Sequence, residues 1–82
     1  MSPEEIGKRL RVLRGDRTMN TVAHAVGITQ SALSNYENGI RVPRDATKVE
    51  LANYYGVSVE SLFYAPVITN SNIGVSQAEQ TA

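Results

Sequence analysis

Residues 18–39, with the sequence TMNTVAHAVGITQSALSNYENG, carry the strongest structural signal in the chain. They place a small residue at Ala23, a glycine four positions later at Gly27, and apolar anchors at Leu33 and Tyr36. A small residue lets a second helix cross closely, and glycine takes a positive φ in a turn without a Cβ penalty. The spacing therefore predicts two helices packed across a tight turn, which is a helix-turn-helix.

Cap and stop residues on both sides of this stretch predict three further helices. Ser2 can cap a first helix, Pro3 suits its first position, and Glu5 completes a capping box. The predicted helices cover about residues 3–14, 19–26, 30–38, 45–55 and 59–64. The fourth helix should bury Val49, Leu51, Ala52 and Tyr55. We therefore expect a compact all-α domain of five short helices.

Composition separates the chain into a folding part and a tail. Residues 65–82 are polar, hold a single charge, and show neither helical nor clean strand periodicity. We predict a domain over residues 1–64 and a C-terminal tail over residues 65–82 that is either disordered or an arm for dimerisation or partner binding. The arm would use the aliphatic residues of the tail, which are Val67, Ile68, Ile73 and Val75.

Several classes of protein are excluded by residue types that the sequence lacks. There is no cysteine, so the chain has neither disulfides nor thiolate metal ligands. No apolar run approaches the roughly 18 residues of a membrane span, and the N-terminus lacks the apolar core of a signal peptide, so we expect a cytoplasmic protein. The single histidine, His24, has no companion ligands at metal-binding spacing. Because no catalytic set or glycine-rich phosphate loop can be assembled, we expect no metal, no cofactor and no enzyme activity.

The net charge is zero, but the charge is unevenly distributed along the chain. Residues 1–44 contain seven Lys and Arg against four acids, a net charge of +3, whereas residues 45–82 carry a net charge of −3. A basic half and an acidic half predict a positive face that can meet phosphate groups and a negative back.

The third predicted helix carries residues that could read a nucleic acid. Leu33 and Tyr36 would point inward, which leaves four polar residues outward, namely Gln30, Ser31, Ser34 and Asn35. Gln and Asn amides can pair with adenine through two hydrogen bonds, and a serine hydroxyl can bond several base edges in the major groove. We predict that these four residues read base edges, with A·T pairs facing Gln30 and Asn35.

With these motifs in place, residues 6–63 resemble the Cro/repressor-type helix-turn-helix family, which includes the lambdoid phage repressors. The matching segments are IGKRLRVLR, VAHAVGITQSALSNYENG, the RVP loop at residues 41–43, and YYGVSVESLF. The resemblance implies a five-helix DNA-binding domain of the lambda repressor type. The sequence departs from the family pattern where Arg17 replaces a common Leu, Met19 replaces a phosphate-contacting Gln, and Lys48 replaces a core Leu.

Contacts to the DNA backbone follow partly from helix ends and partly from the resemblance. The starts of the second and third helices, near Thr18 and Thr29, offer free backbone N–H groups to phosphates. By resemblance, Asn38, Arg41 and Arg44 lie along the sugar-phosphate backbone, and Arg44 can instead enter the minor groove.

We also expect one ion pair within the chain and one contact surface between two copies of it. The resemblance implies a partly buried structural ion pair of Arg14 and Glu37, which would fix the third helix against the first. The last helix ends the domain with Leu62, Phe63 and Tyr64, which would otherwise be exposed apolar groups. We therefore place a dimerisation surface there.

These expectations combine into one function and one alternative. The function is a transcriptional repressor that binds a palindromic double-stranded DNA operator as a homodimer, since one monomer reads too few base pairs to find its site in a genome. The alternative is an antitoxin or protein-interaction module that uses the same domain. The tail over residues 65–82 lacks the amphipathic helix that neutralising segments of antitoxins often have, which disfavours the alternative.

Overall fold

Residues 1–65 are described by a computed structural model, and they form five α-helices. Helices α1 to α5 span Pro3–Arg14, Met19–Val26, Gln30–Glu37, Asp45–Tyr55 and Val59–Phe63. No strand occurs within residues 1–65. The predicted all-α architecture, with α2 and α3 as the helix-turn-helix, is confirmed, although α3 and α5 each end one residue earlier than predicted.

The predicted tail falls almost entirely beyond this region. Residues 66–82, with the aliphatic residues of the suggested arm, lie outside the described residues. The division of the chain near residue 64 therefore stays a prediction. None of the five described helices is long and apolar enough to span a bilayer.

Local side-chain chemistry sets the helix ends. The capping box predicted for α1 is confirmed, because Ser2 Oγ accepts from the Glu5 amide at 3.1 Å and Glu5 Oε1 accepts from the Ser2 amide at 3.0 Å. The turn between α2 and α3 is formed by Gly27, which has a φ of 84°. Its amide donates to the Ala23 carbonyl at 2.9 Å, which closes α2.

The core draws on every helix. Its buried apolar side chains are Ile6, Leu10, Val22, Ala23, Val26, Leu33, Tyr36, Leu51, Ala52, Leu62 and Phe63. The prediction that Val49 is buried is wrong, because 46% of this residue is exposed. Thr47 is buried instead, on the same face of α4 as Leu51 four residues later. The buried face of α4 thus includes Thr47 and excludes Val49, whereas Leu51 and Ala52 are buried as predicted.

The position of α3 depends on a close crossing with α1 at Gly7. A Cβ atom placed on Gly7 would lie 2.8 Å from the carbonyl carbon of Glu37 and 2.9 Å from the carbonyl oxygen of Tyr36. Such distances are shorter than real Cβ contacts, so only glycine lets the two helices approach this closely. The crossing holds the C-terminal end of α3 against the first helix.

Candidate nucleic-acid interface

Helix α3 is divided into a buried apolar side and an accessible polar side. Leu33 is fully buried and Tyr36 is 9% exposed. Among the four residues predicted to read base edges, Gln30 and Ser31 are exposed, and Ser34 and Asn35 are partly exposed. The helix therefore presents these residues away from the side that holds it to the body of the domain.

The first of these residues is held by a neighbour that the sequence did not indicate. Gln30 Nε2 donates to Oδ1 of Asn20, in the first turn of α2, at 3.1 Å. This bond uses one of the two N–H groups of the Gln30 amide, so Oε1 and the second N–H remain available. An adenine edge matches these two groups, because its N7 accepts from an amide N–H and its N6–H donates to an amide oxygen.

A second network connects α1 to the C-terminal end of α3. Arg11 Nη2 donates to Oδ1 of Asn38 at 2.8 Å, and Asn38 Nδ2 donates to Oγ of Ser34 at 3.2 Å. The Arg11 side chain is 56% exposed. Nothing in the sequence pattern pointed to Arg11, because the contact depends on how α1 crosses α3.

The two threonines expected near phosphates are the caps of their helices. Thr18 Oγ1 accepts from the Thr21 amide at 3.0 Å, and Thr29 Oγ1 accepts from the Ala32 amide at 3.0 Å. Both threonines are exposed. The first-turn amides that these caps leave unused remain open to an anion, and the positive end of each helix dipole favours one.

Two arginines lie in the loop between α3 and α4. Arg41 and Arg44 are exposed, and neither forms an ion pair with another residue of the range 1–65. Arg44 is the residue before α4 and makes no side-chain cap bond. Both cations are therefore accessible in the segment that connects α3 to α4.

Arg14 and Glu37 form a bidentate ion pair. Arg14 Nε donates to Glu37 Oε2 at 2.8 Å, and Arg14 Nη2 donates to Glu37 Oε1 at 3.0 Å. The Glu37 side chain is fully buried and the Arg14 side chain is 19% exposed. The hydrogen bonds to Glu37 raise the pKa of Arg14 above its ordinary value. The last turn of α3 is thereby bonded to the last turn of α1.

The loop between α1 and α2 closes over two aromatic rings beside this ion pair. The Arg17 guanidinium lies 5.4 Å from the ring centroid of Tyr54 and 5.6 Å from that of Tyr55. The Tyr55 hydroxyl is buried and has no hydrogen-bond partner among the described residues. Burial, together with the negative charge of Glu37, raises the pKa of Tyr55 to about 12. Arg17 thus lies over both aromatic rings.

The structure corrects the reasoning behind the predicted dimerisation surface. Leu62 and Phe63 are each only 2% exposed, because α5 packs them into the core of its own domain. Tyr64 is 54% exposed, and its hydroxyl oxygen accepts from Lys48 Nζ at 2.7 Å. The Lys48 stem is mostly buried, and Nζ lies 5.7 Å from the ring centroid of Phe63. Of the three residues, Tyr64 alone has a large exposed surface.

Within residues 1–65, no group of three or more His, Asp or Glu side chains could hold a metal ion. His24 is exposed on α2.

Comparisons with known proteins agree with this geometry. A family model described as helix-turn-helix matches residues 8–62, which is more than half of the chain. No curated protein matches the chain. The fold is similar to the solution structure of the SOS-response transcriptional repressor LexA from Eubacterium rectale, with a TM-score of 0.79 and 14% sequence identity over 99% of this chain and 88% of that chain. At this identity the similarity shows the fold alone.

The chain therefore belongs to the helix-turn-helix family, in its Cro/C1-type branch. It is a DNA-binding transcription regulator.

Proposed function

We propose that this regulator represses transcription by binding a palindromic operator as a homodimer, with α3 of each monomer in the major groove. The observation that carries the proposal is the division of α3. Leu33 and Tyr36 are buried while Gln30 and Ser31 are exposed. The buried Glu37 bonds the end of the helix to α1, so the polar side is presented by a fixed element.

The chemistry of the accessible side favours A·T pairs. The helix carries Gln30 and Asn35 but neither Lys nor Arg, so the arginine fork that commonly reads guanine is absent from it. The Gln30 amide is oriented by Asn20 and keeps one donor and one acceptor free. We expect an adenine at the position that faces Gln30 and another at the position that faces Asn35.

The dimer follows from the length of the recognition helix. Eight residues of α3 can contact only about four or five base pairs, which is too little information for a genomic site. Two copies would place their recognition helices about 34 Å apart, one turn of DNA. Exposed Tyr64, at the end of α5, is the residue of the predicted dimerisation surface that can meet a second copy. Binding to chromosomal or phage DNA implies a cytoplasmic location.

Selection from random duplex DNA tests the proposal. The full chain should enrich two inverted half-sites whose centres lie about one helical turn apart, each with A·T pairs at two positions. Gln30→Ala and Asn35→Ala should each remove the preference at one of those positions. Asn53→Ala, which removes an exposed amide from α4, should leave the enriched sequence unchanged. Enrichment of no common sequence, or of G·C pairs alone at both positions, would contradict the proposed readout.

Repression requires a second measurement. When the selected site overlaps the promoter of a reporter gene, production of the full chain should lower expression, and Gln30→Ala should restore it. A rise in expression with the wild-type chain would contradict repression while leaving specific binding intact.

A further inference from the structure

We propose that Arg11, Asn38 and Ser34 form one binding site for a phosphate group of the DNA backbone. The proposal rests on the proposed function, because it needs α3 to lie in a groove of duplex DNA. It adds Arg11 to the DNA-binding residues, and it assigns Ser34 to the backbone instead of to a base edge.

The three side chains form a continuous chain of hydrogen bonds at the surface. Arg11 Nη2 donates to Asn38 Oδ1 at 2.8 Å and lies 3.4 Å from the Glu37 carbonyl oxygen. Asn38 Nδ2 then donates to Ser34 Oγ at 3.2 Å. Asn38 is exposed and the Arg11 side chain is 56% exposed, so an approaching ligand can reach the cluster.

Arg11 determines the direction of the hydrogen bonds in the cluster. A guanidinium has only N–H donors, so the Asn38 amide must turn its oxygen toward Arg11 and its NH₂ group toward Ser34. Within residues 1–65, neither the second N–H of that amide nor the Ser34 hydroxyl proton has a hydrogen-bond acceptor. The groups left for a ligand are therefore mostly donors, since only one lone pair each on Ser34 Oγ and Asn38 Oδ1 remains to accept. A phosphate oxygen, which only accepts, matches this set better than a base edge with mixed donors and acceptors.

The charge of the cluster points to the same ligand. Both Glu37 oxygens are bonded by Arg14 at 2.8 Å and 3.0 Å, whereas Arg11 Nε stays 3.9 Å from the nearest of them. The three charged groups sum to +1, and the surplus belongs to Arg11 at the surface. A phosphate supplies the opposite charge for charge-assisted hydrogen bonds, and a neutral base edge does not.

The test compares two matched substitutions on α1 in the full chain. Arg11→Met removes the cation and its donors from the cluster. Arg9→Met makes the same change two residues earlier, where the guanidinium bonds the Ser61 carbonyl on α5 instead of α3. Arg11→Lys keeps a positive, donor-only group. Thermal unfolding of each variant sets the temperature at which binding to the selected operator is measured, so that all chains are folded.

If the cluster binds a phosphate, its removal should lower the binding affinity equally for every DNA sequence. Arg11→Met should weaken binding about tenfold to the operator and to every single-base-pair variant of it alike. The slope of log K against log[salt] should become shallower by about one per bound monomer. Arg9→Met should leave both quantities near wild type, and Arg11→Lys should recover most of the loss. Equal losses for Arg9→Met and Arg11→Met, or an unchanged affinity for Arg11→Met, would overturn the site.

Neutral phosphates identify the partner directly. Methylphosphonates are introduced one at a time along the operator. At one position the neutral group should lower the affinity of the wild-type chain about tenfold and leave the affinity of Arg11→Met almost unchanged. The same position should become insensitive in Ser34→Ala. If Ser34→Ala instead flattens the preference at one base pair and leaves every methylphosphonate effect intact, Ser34 reads a base and the proposal fails. Absence of any selected operator would count against the proposed function, so the two failures are distinguishable.

Discussion

Replacing Glu37 by alanine should destabilise the domain far more than the loss of an exposed acid. The Glu37 side chain is fully buried, and its two oxygens accept from Arg14 at 2.8 Å and 3.0 Å. Glu37→Ala removes both charge-assisted bonds and leaves a mostly buried guanidinium without its counter-charge. The helix that loses this bond is α3, the proposed recognition helix.

The magnitude follows from the exposure of the two partners. Breaking a fully buried ion pair by removing one partner costs about 3–5 kcal/mol. Because Arg14 is 19% exposed and also donates to the Arg17 carbonyl at 2.9 Å, its charge keeps some compensation. We therefore expect the lower end, about 3 kcal/mol. In a domain of this size about 1 kcal/mol corresponds to 4–8 °C, so Tm should fall by about 12–24 °C.

Thermal unfolding followed by circular dichroism at 222 nm measures this change. Glu50→Ala, which removes an exposed acid from α4, is the matched control and should shift stability by less than about 0.5 kcal/mol. Glu37→Gln keeps one acceptor oxygen, so its loss of stability should lie between those of Glu50→Ala and Glu37→Ala. A Tm for Glu37→Ala within about 3 °C of wild type would refute the role assigned to the ion pair.

Three further predictions concern single residues. Gly7→Ala should cost more than about 2 kcal/mol in urea unfolding, since its Cβ would lie 2.8 Å from the Glu37 carbonyl carbon, and a wild-type midpoint would contradict the close crossing of α1 and α3. Tyr55→Phe should stabilise the domain by about 0.5–1 kcal/mol at pH 7, because the hydroxyl is buried without a hydrogen-bond partner in the described region. The pKa of Tyr55 is raised from 10.0 to about 12 in the folded protein, so the unfolded chain loses this proton at a lower pH. The wild-type protein should therefore lose stability as the pH rises from 10 to 12, and Tyr55→Phe should lose less. Equal losses of stability in the two proteins would contradict the shift. Asn20→Ala should reduce discrimination at the base pair facing Gln30 in competition titrations, and unchanged discrimination would show that Gln30 needs no support from α2.

Helix ends are predictable in this chain because short-range chemistry sets them. The capping box of Ser2 and Glu5 needs only residues three apart, and the turn at Gly27 needs only a residue that accepts a positive φ. These signals do not depend on the rest of the fold. They explain why the five helices and the helix-turn-helix could be predicted from the sequence.

The buried face of α4 could not be predicted in the same way. Its apolar residues are spread around the helix, so the pattern favours no single side. Packing against the neighbouring helices selects the side that contains Thr47, Leu51 and Ala52, and Val49 is left largely exposed. The same packing takes Leu62 and Phe63 into the core, and only Tyr64 of this terminal apolar segment stays exposed.

The contacts that orient the reading residues depend on distances between helices. Asn20 reaches Gln30 across the turn, and Arg11 reaches Asn38 across the crossing of α1 and α3. Neither pair has a characteristic spacing in the sequence, because the separation in space is set by how the helices cross. Residue type predicted which side chains could bind DNA, and only the fold shows which neighbours hold them.

Side-chain amide resonances, recorded as the selected operator is added, show directly whether α3 reads the DNA. In ¹H–¹⁵N spectra of the full chain, the NH₂ signals of Gln30 and Asn35 should shift the most when the duplex is added, with the amides of Arg41 and Arg44 moving as well. Large shifts confined to α5, with Gln30 and Asn35 unmoved, would show that another surface binds DNA and would contradict the account.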